Sequence, residues 1–121
     1  MKMLYACLVL AAAFAHAGSL LEEAPARTGS FSNPLEGQES ALRAGAKLFA
    51  RECASCHGNN AAGGVGTAPP LRHAGVYKAA PGKLFWVLRN GSLRHGMPSF
   101  AHLPEPQRWQ IIAWLQARKP T

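Results

Sequence analysis

The chain is 121 residues long, the size of one domain, which excludes an enzyme built from separate cofactor and substrate domains. Apolar residues make up 48% and charged residues 16%, so neither disorder nor a coiled coil fits, and the formal net charge is +7. The composition is rich in Gly (12) and Pro (9) and poor in Val, Ile and Thr, which disfavours a sheet and predicts helices joined by long loops.

At the N-terminus, Lys2 is followed by an apolar run from Met3 to Ala15 and by Ala15-His16-Ala17, an A-x-A cleavage pattern. Residues 1–17 are therefore expected to be a cleaved signal peptide, since the run falls well short of the ~20 residues that span a membrane. Cys7 lies inside this run and would leave with it. Residues 18–36 hold scattered Gly, Ser and Pro with no period and are expected to be a flexible N-terminal extension; the folded domain is expected over 37–119.

Within that domain, Ala41, Gly45, Leu48 and Phe49 form a helical stripe over 38–52, with Glu39 early and Arg51 late as the helix dipole favours. Residues 58–81, with Gly63-Gly64, Gly66 and Pro69-Pro70, form a long irregular stretch that a compact domain tolerates when it has something to wrap. A short helix is expected near Val76. A further helix is predicted from Lys83 to Asn90, stopped by Gly91, and a last one from Leu103 to Lys119, with Pro104 and Pro106 in its first turn.

After cleavage only Cys53 and Cys56 remain, and His57 completes Cys53-Ala54-Ser55-Cys56-His57. A CxxC disulfide and half of a zinc site are the competing readings of such a pair, but zinc calls for a second Cys or His pair at ligand spacing and a redox disulfide calls for flanking strands. C-x-x-C-H is the attachment signature of haem c. Two thiols three residues apart each add to one vinyl group of the same porphyrin, and the next residue, His57, becomes the proximal ligand, oriented by a backbone carbonyl on its other ring nitrogen. The opposite axial position needs a ligand from elsewhere. Met97 is the only methionine left in the mature chain, and Gly96 and Pro98 exclude a helix around it, so it is read as the second axial ligand and not as core filler. His73, His95 and His102 are the rivals, read as surface loop residues without a supporting carboxylate.

In this order, with Gly45-x-x-x-Phe49-x-x-x-Cys53 before the motif and Ile111-x-x-Trp114 near the end, residues 37 to 118 resemble the class I c-type cytochromes. The resemblance implies an all-α fold of three to four helices and long loops wrapped around one covalently bound haem c. It implies that the first and last helices cross at Gly45 and Trp114. It also implies that a proline of Pro69-Pro70-Leu71 offers its carbonyl to His57; the spacing to Leu71 favours Pro69, and Pro70 stays open. Asn33-Pro34-Leu35-x-Gly37 and Gly96-Met97-Pro98-Ser99-Phe100 resemble monohaem cytochromes that serve periplasmic quinoprotein dehydrogenases.

With both axial positions filled, the iron is left with one-electron exchange, and a soft thioether favours the ferrous state and a positive potential. The expected function is thus a periplasmic, monomeric electron carrier and not an enzyme, moving electrons between a redox partner such as a quinoprotein dehydrogenase and a terminal oxidase. Arg72, Lys78, Lys83, Arg89 and Arg94 suggest steering toward an acidic partner surface. Neither nucleic acid nor a transmembrane anchor is expected. The alternatives are a haem enzyme or gas sensor with an open iron site, or a fixed haem subunit of a dehydrogenase.

Overall fold

The computed structural model describes residues 20–64, 66 and 68–120. The expected signal peptide lies outside these residues. Six α-helical elements follow one another: α1 (Leu20–Glu23), α2 (Glu39–Glu52), α3 (Ala54–His57), α4 (Ala74–Tyr77), α5 (Pro81–Asn90) and α6 (Glu105–Ala117), with 3-10 turns at Ala26–Ser30 and Leu93–His95. Among the described residues there is no strand, only an isolated antiparallel bridge between Ser92 and Met97. The all-α expectation holds, with α2, α5 and α6 as the three long helices.

The stripe read from the sequence is the buried face of α2: Ala41, Gly45, Leu48 and Phe49 are all buried. They meet α6, whose Trp109, Ile111, Ile112, Ala113 and Leu115 are buried as well. At the crossing, a Cβ on Gly45 would overlap the Gln110 carbonyl and lie 2.8 Å from Trp114 Cβ, so only the absence of a side chain lets the two backbones approach this closely. Phe49 and Trp114 fill the space one turn on, ring centroids 4.7 Å apart and tilted by 38°. Helix α6 is covered on several sides, which is why its apolar residues fall outside any single stripe.

Two boundaries differ from the sequence reading. Helix α5 starts at Pro81, not Lys83, because proline is suited to the first helical position, where no intrahelical N–H is needed. Helix α6 starts at Glu105, with Pro104 as its N-cap and Pro106 inside the first turn.

Residues 20–36, expected as a flexible extension, instead pack on the body. Ala24, Thr28 and Asn33 are buried. Asn33 Nδ2 donates to the Trp109 carbonyl in α6 at 2.9 Å, and its Oδ1 accepts the Leu35 N–H at 2.9 Å. The Gly82 N–H donates to the Phe31 carbonyl, tying the segment to α5 as well. Composition missed this because the anchor is one polar side chain, not an apolar periodicity. Among the described residues no helix is long and apolar enough to cross a membrane.

Candidate haem site

Helix α2 carries the motif to its place. The chain leaves α2 at Cys53, whose N–H still donates to the Phe49 carbonyl at 2.8 Å, and the single turn α3 continues from it. The Cys56 and His57 N–H groups both donate back to the Cys53 carbonyl, and Gly58, at φ 81°, ends the turn. Cys53 caps this turn and Cys56 lies within it, three residues further along the chain. Both are free thiols, Cys53 buried and Cys56 exposed. Burial, and then the nearby Glu52 and Cys56, push the Cys53 thiol up to about 12, so it is a neutral thiol at physiological pH. Among the described residues no group of three or more His, Cys, Asp or Glu side chains is placed to hold a metal ion.

His57 Nδ1 lies 2.7 Å from the carbonyl oxygen of Pro69. A carbonyl only accepts, so Nδ1 carries the proton and donates, and the lone pair is left on Nε2, the nitrogen a metal would take. Of the two prolines, Pro69 makes this bond. Its carbonyl is brought there by a fold-back of the loop: Leu71 and Arg72 N–H groups both donate to the carbonyl of Ala61, at 2.6 and 3.1 Å. Ala61 is fully buried and has φ 63°, a left-handed conformation uncommon for alanine. No turn-forming residue marks that position, so its part in placing Pro69 was not legible from residue type.

Met97 is held in a separate hairpin after α5. Ser92 and Met97 exchange both backbone hydrogen bonds, at 2.8 and 2.9 Å, across the 3-10 turn Leu93–His95 and the left-handed Gly96. Gly91, at φ 60°, lets the incoming chain pass the outgoing one: a Cβ there would sit 2.5 Å from the Pro98 carbonyl carbon. The hairpin returns to α5 through the Phe100 N–H, which donates to the Leu88 carbonyl at 2.8 Å, and buried Phe100 seats it on the core. Met97 itself is half-buried and packs against that core.

The rival histidines have other partners. His73 Nδ1 accepts the Gly75 N–H and caps α4. His102 is exposed, its ring 6.0 Å from that of Phe100. His95 Nδ1 lies 2.9 Å from Ser92 Oγ and 3.7 Å from Glu23 Oε1. The expectation that no carboxylate stands near these histidines is therefore wrong for His95: Glu23 reaches it from α1, a neighbour 71 or more residues away in the chain and invisible in local sequence. Glu23 also pairs with Arg94 at 2.9 Å, and Arg72 donates to the Lys119 carbonyl. Of the five cations read as a steering surface, Arg94 is thus partly neutralised and Arg72 has a structural use.

The donor set fits a covalently attached haem. It offers two free thiols, at the cap and within the turn, and directly after them an imidazole whose proton is held on Nδ1, so that Nε2 could ligate iron. The comparisons agree. Residues 40–115 match the family model described as cytochrome C oxidase, cbb3-type, subunit III. Among solved structures the chain is similar to cytochrome CL from the marine methylotrophic bacterium Methylophaga aminisulfidivorans, at 23% identity and a TM-score of 0.62, over 85% of this chain and 70% of that one. No curated protein matches the sequence significantly. A family match over most of the chain, on a helical fold shared with cytochrome CL and around a C-x-x-C-H turn, makes this chain a member of the cbb3-type subunit III family of class I c-type cytochromes, an electron carrier with covalently bound haem c.

Proposed function

We propose that the protein is a periplasmic monohaem shuttle in which His57 and Met97 are the two axial ligands of the iron. When bound, the haem supplies reversible one-electron exchange. The chain supplies the rest. Cys53 and Cys56 hold the macrocycle by thioether bonds, His57 offers Nε2 because Pro69 holds its Nδ1 proton, and the Ser92–Met97 hairpin offers a neutral thioether that favours ferrous iron and a positive potential. The observation that carries the reading is this hairpin: the only methionine of the mature chain stands in a loop fixed by backbone hydrogen bonds on both sides, an arrangement that core filling does not call for.

The donor we propose is a periplasmic quinoprotein dehydrogenase and the acceptor a terminal oxidase. The resemblance of Asn33-Pro34-Leu35-x-Gly37 to cytochromes with such donors supports the first, and Asn33 has a specific task here, anchoring that lead-in to α6. Lys78 and Arg89, both exposed, support an acidic partner surface. Export rests on the Lys2 start, the apolar run and Ala15-His16-Ala17. Carbon monoxide added to the reduced protein tests the closed-iron reading. Resistance on the timescale of minutes is expected; rapid binding would favour a gas sensor or a haem enzyme.

A further inference from the structure

Arg108 is the one buried charged residue among the described residues, 7% exposed, and no ion pair to it occurs among them. Its Nη1 donates to the Leu103 carbonyl at 2.6 Å and reaches the Ala101 carbonyl at 3.4 Å. Its guanidinium carbon lies 4.8 Å from the centre of the Phe85 ring, and its Nε is buried without a hydrogen-bond partner. Phe85 in turn stacks on Trp109, centroids 4.1 Å apart. Packing alone does not favour this arrangement, since a hydrophobic side chain of similar size would fill the space without burying a charge. What arginine adds is a permanently charged donor to two carbonyls.

Both carbonyls belong to the segment that joins Met97 to α6. The other bonds that hold the hairpin come from within it, from α5 and from α1: the Ser92–Met97 exchange, the Phe100 N–H on the Leu88 carbonyl, Ser99 Oγ on the Arg89 carbonyl at 2.5 Å, and Glu23 against Arg94 and His95. Arg108 is the fastening on the α6 side, and through Phe85 it fixes that fastening to α5. We infer that Arg108 is a positioning residue for Met97, holding the hairpin closed so that the thioether stays on the iron. The inference rests on Met97 being the axial ligand. An outside ligand competes only in the fraction of molecules whose hairpin is open, so its apparent affinity rises in proportion to that fraction.

The test is an imidazole titration of the ferric holoprotein, followed in the haem spectrum, alongside thermal melting. Arg108→Met should bind imidazole about tenfold more tightly than wild type, the size expected for losing a charge-assisted hydrogen bond. Arg108→Lys, which keeps the charge but not the planar fork, should fall between the two and serves where the Met variant does not fold. Met97→Ala should bind most tightly. Trp114→Ala, at the α2–α6 crossing, should lower the melting temperature and leave imidazole affinity at the wild-type value. If both Arg108 variants titrate like wild type while Met97→Ala does not, the proposal is overturned and the Met97 reading stands. An increase in Trp114→Ala as large as in Arg108→Met would also overturn it, because loss of stability alone would then explain the effect. Wild type that takes imidazole as readily as Met97→Ala would overturn the axial role of Met97, and the proposal with it.

Discussion

Gly45→Ala sets two physical effects against each other with opposite signs. In an isolated helix, alanine in place of a mid-helix glycine stabilises by about 1 kcal/mol. At the α2–α6 crossing the added Cβ overlaps the Gln110 carbonyl and sits 2.8 Å from Trp114 Cβ, and neither neighbour is the flexible end of a side chain. The helices must therefore separate, and Phe49, Ile111 and Ile112, all essentially inaccessible, move with them. Overpacking of this kind costs about 3 kcal/mol, at the upper part of its usual range. The net expectation is a loss of roughly 2 kcal/mol, or roughly 8 °C in melting temperature at about 4 °C per kcal/mol for a domain of this size. Circular dichroism melts of the holoprotein measure it. A variant as stable as wild type, or more stable, would mean that Gly45 does not lie at a backbone contact and that the helix crossing is misplaced.

Trp114→Ala should destabilise the holoprotein by about 2–4 kcal/mol in guanidinium unfolding, less than for a fully buried tryptophan because the ring is only partly covered, by Phe49 and by Arg118 at 4.6 Å; a change within about 0.5 kcal/mol would contradict the contact. Asn33→Ala removes a buried amide from the Trp109 carbonyl and should cost about 1–3 kcal/mol. It should also speed proteolysis within residues 20–37, and unchanged cleavage would show that the segment is not anchored there. The intact mass of exported protein should equal residues 18–121 plus one haem that survives acid-acetone extraction; a mass that includes residues 1–17, or haem that extracts, would count against export or attachment respectively.

What was legible in the sequence was whatever is encoded locally. The α2 stripe, the haem turn and the order of motifs are contiguous, and the family resemblance they carry implied the close helix contact at Gly45. The elements that place the site were harder to read because their partners are distant in the chain. Asn33 meets Trp109 across 76 residues and Glu23 meets Arg94 across 71, and no periodicity records such pairs. Ala61 holds Leu71 and Arg72 from a left-handed conformation that favours glycine or asparagine, so the residue type conceals the turn. Arg108 looks like an exposed residue in the first turns of an amphipathic helix, but α5 and the Met97 segment cover that face and bury it.

As the sixth ligand, Met97 would close the iron to outside ligands. The most direct measurement is the weak near-infrared sulfur-to-iron charge-transfer band of the oxidised protein, in wild type and in Met97→Ala. The band should be present in wild type and absent in the variant, while haem stays attached through Cys53 and Cys56 and the potential falls with loss of the thioether. Absence of the band in wild type, or its persistence in Met97→Ala, would rule out Met97 as the ligand and leave a histidine such as His95 or His102, or an open site, at that position.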